Sequence, residues 1–342
     1  MTTDTEKFAL ERQGIVLEPD YNRPYEAGGV LNPASAYYNG KAYLLYRSVA
    51  AEPVNYSRIM LAELHPAQGG LVAERLDICA LEPEAPYEKW RDGVHGGVED
   101  PRVTPMQDGS FIMVYTAYGD GPGGDAVPRI ALARSSDLKH WERLGLARYT
   151  PLELKGRSGT TYNLDLQTVS NKDGMLFPEK IGGRYALLHR PTFAPEVARD
   201  HGVKASIWLS FSDDLLTWTD HHLLLTSEAG WENLKTGGGT PPLRTPEGWL
   251  IFYHAVEGES DADPDRRYMA GAALLDLADP RKVLYRSKAP VLAPDTEAEK
   301  VGVVNNVVFP TGVLPQPDGR VLVIYGMADL AIGVASTIKP VL

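Results

Sequence analysis

Residues 108–117 read DGSFIMVYTA, a turn dipeptide followed by an aliphatic and aromatic run. Asp-Gly is a strong two-residue hairpin signal, because glycine accepts the positive φ that a tight hairpin turn demands. The pattern recurs as NGKAYLLYR from Asn39, GGRYALLHR from Gly182, EGWLIFYHA from Glu247 and DGRVLVIYG from Asp318. The turn glycines Gly40, Gly109, Gly183, Gly248 and Gly319 lie 65 to 74 residues apart. Each turn follows a proline-bearing strand: GGVLNPASAYY, GGVEDPRVTPM, KDGMLFPEKI, TGGGTPPLRT and NNVVFPTGVL. A third strand follows some of the hairpins, as in RIALARSSDLKHW from Arg129 and ASIWLSFSDDLLTW from Ala205, and the shared S-x-D-L-x-x-W reads as a turn with a packing Trp. Five such units predict an all-β fold, a five-bladed β-propeller of four-stranded antiparallel blades around a central channel. Residues 1–342 then form one domain. The N-terminal GIVLEPDYN, which resembles PVLAPDTEA at 290–298, is expected to close the last blade. The glycine-rich stretches YGDGPGGDA from Tyr118 and LKGRSGTTYN from Leu154 read as loops.

Composition narrows the partners. The 342 residues carry 34 basic and 45 acidic side chains, a net charge of −11, which disfavours nucleic acid and anionic membranes. A single cysteine, Cys79, cannot form an internal disulfide and fits a reducing, cytoplasmic setting. The N-terminal MTTDTEKFALERQG lacks the apolar core of a signal peptide, and no apolar run approaches a membrane span. No spacing of Cys or His suggests a metal site, and no P-loop or G-x-S-x-G elbow is present. No cofactor is expected, and a homo-oligomer stays an open alternative.

In a hairpin, the start of the first strand lies beside the end of the second, both opposite the turn. Five hairpins therefore gather residues at one mouth. The first supplies Asn32 and Arg47; the second Glu99, Asp100 and Arg102; the third Lys172, Asp173, His189 and Arg190. The fourth supplies Lys235 and His254, and the fifth Asn305, Asn306 and Asp329. The opposite end carries ordinary turn formers, Asn39, Asp108, Glu247 and Asp318. A hydrolase that inverts needs two carboxylates, an acid and a base for water. This mouth offers Asp100 as an acid, faced by Arg190, Lys235 and His254. Such a cationic set suits an anion. A phosphate nucleophile arrives charged and needs only positioning, so the pattern reads as phosphorolysis. A protonated His254 would make phosphate use fall as pH rises.

The chain resembles the β-mannoside phosphorylases of glycoside hydrolase family 130. The likeness runs through GGVLNPA, YLLYR, GGVEDPRVT, KDGMLFPEKIGGRYALLHR, GWLIFYHAV, GAALLDLADPRKVLYRS, NNVVFPTG and YGMADLAI. It implies a five-bladed propeller and an inverting, hexosyl-transferring phosphorylase that converts β-1,4- or β-1,2-mannosides and phosphate into α-mannose 1-phosphate. By the same likeness Asp100 of E-D-P-R is the acid, passing its proton through the mannosyl 3-hydroxyl to the glycosidic oxygen. Arg190, Lys235, His254 and Lys172 would hold phosphate. Asn32, Arg47, Arg58, Asp173 and Asp329 would hold the nonreducing mannose, with Glu99 and Arg102 contacting the sugar or supporting the acid. The motifs leave linkage and acceptor open. Two alternatives remain: a mannoside hydrolase, with Glu179 or Asp173 as second carboxylate, and a noncatalytic sugar-binding propeller.

Overall fold

The computed structural model describes residues 7–51, 56–67, 70–90, 96–121, 124, 126–228 and 230–342. Pro122, Gly123 and Asp125 of the YGDGPGGDA stretch lie outside the described residues. The chain is nearly all β. After β1 (Leu10–Leu17) comes a first antiparallel meander, β2 (Gly29–Tyr38), β3 (Lys41–Val49), β4 (Ser57–Ala67) and β5 (Gly70–Leu81). The second is β6 (Gly97–Pro105), β7 (Phe111–Asp120), β8 (Ala126–Ser135) and β9 (Glu142–Leu146). Three short strands follow, β10 (Arg148–Tyr149), β11 (Leu152–Lys155) and β12 (Thr161–Leu164). The third meander is β13 (Asn171–Leu176), β14 (Tyr185–Pro191), β15 (Ile207–Ser212) and β16 (Thr217–Leu225), with helix α1 (Pro195–His201) between β14 and β15 and β10 added parallel to β16. In the fourth, β17 (Lys235–Gly237) and β18 (Leu243–Thr245) share the edge of β19 (Gly248–Glu257), followed by β20 (Arg267–Leu275) and β21 (Val283–Arg286). After the one-turn helix α2 (Glu297–Lys300), the fifth comprises β22 (Val308–Pro315), β23 (Val321–Met327) and β24 (Ala331–Thr337). Strand β1 pairs antiparallel with β24 and supplies its fourth strand.

The apolar runs have a simple cause. Successive side chains of a strand point to opposite faces, and here both faces are covered. Leu44 of β3 enters one cluster and Leu45 another; Ile112 and Met113 of β7, Leu187 and Leu188 of β14, and Ile251 and Phe252 of β19 divide likewise. Five clusters result. Four lie between successive meanders, and the fifth joins the last meander to the first through Ile324, Val334, Leu44 and Met60. The S-x-D-L-x-x-W segments are turns built on their polar residues. Asp214 accepts the N–H of Leu216 and Thr217, which holds Leu215 at a φ of 69°, and Trp218 is fully buried. One loop expectation fails: within LKGRSGTTYN, β11 and β12 form a hairpin whose turn is held by Asp200 of α1, through Ser158 N at 2.9 Å and Tyr162 Oη at 2.9 Å.

Four meanders share a buried device that the sequence did not announce. A Glu before the first strand accepts a hydrogen bond from the Tyr hydroxyl of the second strand and an ion pair from an Arg of the fourth. The sets are Glu26–Tyr46–Arg75, Glu88–Tyr115–Arg143, Glu232–Tyr253–Arg286 and Glu299–Tyr325–Arg12. The hydroxyl contacts are 2.6–2.9 Å and the four Glu side chains are buried. Each set ties the segment before the first strand of a meander to its second and fourth strands.

The third meander places His189 where the others have Tyr. His189 is therefore no mouth residue. It is fully buried and hydrogen-bonded to Asn171 Oδ1 at 3.0 Å and Ser210 Oγ at 2.7 Å, and Ser210 is bonded in turn to His221 at 2.8 Å. Burial, with His221 beside it, pushes the His189 pKa well below its ordinary value. An unfolded histidine titrates near ~6.5 and this one stays neutral, so the unfolded chain binds the extra proton. The contribution of His189 is present above that pH and lost as pH falls through it. The melting temperature should decline from pH 7.5 to 5.5, and His189→Gln should flatten that decline in thermal unfolding followed by circular dichroism.

Candidate active site

The first strands of three meanders break register at corresponding places: between Leu31 and Ala34, between Glu99 and Arg102, and between Lys172 and Met175. At each break stands a short polar residue at positive φ: Asn32 at 43°, Asp100 at 48° and Asp173 at 60°. Asn and Asp are the side chains that tolerate this region best. Asn32 and Asp100 also precede prolines, where extended backbone is favoured, so their conformation is strained. The bulges re-aim all three side chains into one site.

Asp100 lies on its carboxylate side. Its Oδ1 accepts hydrogen bonds from Asn32 Nδ2 at 2.8 Å and Arg47 Nη1 at 3.1 Å. Arg47 also donates to Glu99 Oε1 at 2.6 Å and to Ser57 Oγ at 2.9 Å. Burial would raise the Asp100 carboxyl, but Arg47, Arg102, Lys172 and the Asn32 amide outweigh it and hold the group below its usual range. Its neighbours go the other way. Burial raises Glu99 against the pull of Arg47. Burial, reinforced by Asp100 and Glu99, pushes Asp329 up to about 6. Lys172 feels Glu99, Asp100, Asp173 and Asp329 together, which puts its ammonium between the two sides of the site.

Asp173 anchors the cationic side. Arg190 Nε meets its Oδ2 at 2.6 Å, His254 Nε2 stands 3.8 Å from the same oxygen, and Arg102 Nη2 is 3.8 Å from Oδ1. Burial would raise Asp173, yet Arg190, His254, Lys172 and Arg102 hold it far below the normal range. His254 donates from Nδ1 to Gly238 O at 2.8 Å, which leaves Nε2 as the acceptor of a neutral ring. Burial pushes its pKa down to about 3, with Asp173 opposing and Arg190 adding to the shift. The expectation of a charged His254 is therefore corrected. Arg102 donates to the carbonyls of Asp100, at 2.8 Å, and Gly239, at 3.2 Å, bracing the two sides against each other.

The run Gly237–Gly239 makes this packing feasible. A Cβ on Gly237 would stand 2.3 Å from His254 Cε1 and 2.6 Å from Asp173 Oδ2, and one on Gly238 would stand 2.1 Å from Asp173 O. The T-G-G-G segment is the sequence signal for this approach, though it did not disclose which carbonyls serve His254 and Arg102.

The structure thus brings Asn32, Arg47, Glu99, Asp100, Arg102, Lys172, Asp173, Arg190, His254 and Asp329 together. Lys235 lies two residues from Gly237, the partner of His254 across β17 and β19, and is ion-paired with Asp261, a residue the sequence reading did not single out. Arg58 sits between the Tyr25 and Tyr56 rings, 5.5 and 5.6 Å from their centroids, and pairs with Glu82 at 3.1 Å. Glu179 is bound to Gln107 and Arg244, beside the Asp108 turn at the opposite end, so it is no second carboxylate here. Asn305 and Asn306 shape their own loop, through the Gly302 N–H on Asn305 Oδ1 and the Tyr268 N–H on Asn306 O.

Residues 13–341 match the model of glycoside hydrolase family 130 described as beta-1,4-mannooligosaccharide phosphorylase. The chain belongs to this family. A 1,2-beta-oligomannan phosphorylase of Thermoanaerobacter sp. (strain X514) is 37% identical over 94% of this chain and 93% of its own. A beta-1,2-mannobiose phosphorylase of the same organism is 33% identical, over 94% and 93%. Among solved structures, the beta-1,2-mannobiose phosphorylase from Listeria innocua in complex with beta-1,2-mannobiose aligns with a TM-score of 0.73 and 26% identity, covering 96% of each chain.

The triple glycine gives this family member a sharp test. Gly237→Ala should displace His254 and Asp173 and reduce kcat/KM by about tenfold or more, since misplacement of ~1 Å in a site costs on the order of 10²-fold. The fold, read by circular dichroism, should persist.

Proposed function

We propose that this chain is an inverting β-mannoside phosphorylase acting on β-1,2-linked mannosides, with its five meanders arranged as the blades of a propeller around the site. The observation that carries the reading is the division of the site into a proton-holding carboxylate side and a cationic side whose one buried carboxylate, Asp173, is bound to Arg190. Asp173, the carboxylate of the cationic side, is engaged through Oδ2 and held by cations far below the normal range, which disfavours it as a base for water. The Thermoanaerobacter relatives, named for β-1,2-mannoside phosphorolysis, support both activity and linkage.

In this mechanism Asn32, Arg47 and Asp329 hold the nonreducing mannose above Asp100. Phosphate lies on Arg190, Lys235 and His254. A monohydrogen phosphate donates its P–OH to the unprotonated Nε2 of His254, while the Arg190 guanidinium and the Lys235 ammonium take the charged oxygens. One phosphate oxygen attacks C1 from the face opposite the leaving group as the C1–O bond breaks. The Asp100 proton passes through the 3-hydroxyl to the departing oxygen, giving α-mannose 1-phosphate and a shortened mannoside. Asp100 is held ionised at rest, so it must be loaded. Arrival of an anion across Arg102 raises its pKa, as a like charge does to any carboxyl. Glu99, Asp100 and Asp329 then titrate as one coupled set.

The test is incubation with β-1,2-mannobiose with and without inorganic phosphate. Mannose 1-phosphate should form only with phosphate; release of mannose at the same rate without it contradicts the proposal. Asp100→Asn should reduce turnover by at least about 10²–10⁴-fold, the usual contribution of general acid catalysis, with folding intact.

The rate should also fall as pH rises from 6 to 8, because the carboxyl set, with Asp329 at about 6, loses its proton over that range. Steady-state kinetics at saturating phosphate measures this limb. A rate rising with pH would exclude a carboxylic acid as donor.

A further inference from the structure

The loop between β19 and β20 carries a carboxylate to the cationic side of the site. Asn233 clips the base of the loop, donating from Nδ2 to Gly258 O at 3.0 Å and accepting the Gly258 N–H at 3.0 Å. Asp263 organises its interior by accepting the N–H of Glu259 and Asp265, each at 2.9 Å, and Arg266 Nη1 donates to Asp263 O at 3.0 Å. The tip so held presents Asp261, whose carboxylate accepts a hydrogen bond from Lys235 Nζ and also feels the Arg190 charge. The pair is asymmetric. The Lys235 side chain is 15% exposed and packs over the Tyr268 ring, whereas that of Asp261 is 75% exposed.

Of the four groups on the cationic side, only Lys235 has, among the described residues, a partner that stands mostly in solvent. Arg190 is bound to the buried Asp173, Arg102 to backbone carbonyls, and His254 to Gly238. Arg190 and Arg102 cannot change partners without exposing a buried charge or carbonyl, which is costly. Lys235 can, because water takes over the carboxylate it leaves.

We propose that Asp261 is a built-in competitor for phosphate: it occupies the Lys235 ammonium when the site is empty, and the anion must displace it to bind. This rests on the phosphorylase reading of the same site. The consequence is an affinity for phosphate that the loop holds below what Lys235 would otherwise give. A carboxylate that remains at the rim also repels the dianion after displacement. Phosphate then leaves readily, as a reaction run in either direction requires of it.

The experiment compares wild type, Asp261→Asn, Lys235→Ala and the double variant, with inorganic phosphate and β-1,2-mannobiose varied separately. Asp261→Asn should lower the KM for phosphate about three- to tenfold, the lower end reflecting how solvent weakens exposed pairs, and leave the KM for mannobiose unchanged. In the Lys235→Ala background the same substitution should have a clearly smaller effect, since the ammonium it competes for is gone and only the repulsion of the rim carboxylate remains. Calorimetric titration of each variant with inorganic phosphate alone reads the same change without turnover. Equal or weaker phosphate binding in Asp261→Asn would overturn the proposal, as would an equal gain in the Lys235→Ala background. Wild-type hydrolysis without phosphate would instead contradict the phosphorylase reading, while the calorimetry still decides the role of Asp261.

Discussion

Three short polar side chains at positive φ, Asn32, Asp100 and Asp173, set the geometry on which the site depends. Residues in such regions cost about 1–3 kcal/mol each and persist only where the surroundings over-determine them. Here the surroundings do so twice. The ladder resumes on both sides of each bulge, and the re-aimed side chains are locked by Arg47, Arg190 and each other. For Asn32 and Asp100, in the first two meanders, a Glu–Tyr–Arg set acts from farther out, tying the segment that leads into the first strand to the second and fourth strands. Strain at the mouth is thus sustained by satisfied polar groups in the body of the meanders.

The second organising feature is separation of charge. Asp173 draws Arg190, Arg102 and His254 to one side, while Glu99, Asp100 and Asp329 crowd around Arg47 on the other. Lys172 and Arg102 lie between. Like charges pressed together raise the cost of full ionisation, so the carboxylate side tends to keep a proton; the opposite side tends to recruit an anion. These are complementary requirements of one displacement reaction, in which a proton must go to the leaving oxygen as phosphate arrives at the far face. The same division explains why a neutral His254 is useful. In the proposed mechanism, an acceptor among cations would distinguish a phosphate that still carries a hydrogen.

Much of this was legible in the sequence. The hairpin glycines and apolar runs disclosed the hairpins; the Asn-Pro, Asp-Pro and Asp-Gly pairs stand at the bulges, which only the strand registers reveal. Other parts left no local trace. The Glu of each Glu–Tyr–Arg set comes from the connection before the first strand and its Arg from the fourth strand, as with Glu299 and Arg12, so no spacing links them. His189 looked like a mouth residue because it precedes Arg190, but alternation turns adjacent residues to opposite faces. The pairing of Arg58 with Glu82 likewise left no local trace. The charge of His254 depended on burial and on a glycine carbonyl, neither visible in a residue string. Asp261 sat in a polar loop indistinguishable from a solvated turn.

The central claim is that phosphate attacks from the cationic side, opposite the leaving oxygen above Asp100. Proton and phosphorus nuclear magnetic resonance of the first product formed from β-1,2-mannobiose and phosphate tests it directly. The account predicts α-mannose 1-phosphate at the earliest times, before any equilibration. The β-anomer would place nucleophile and acid on the same face, and two equivalents of free mannose with no mannose 1-phosphate would remove phosphate from the reaction; either result contradicts the account.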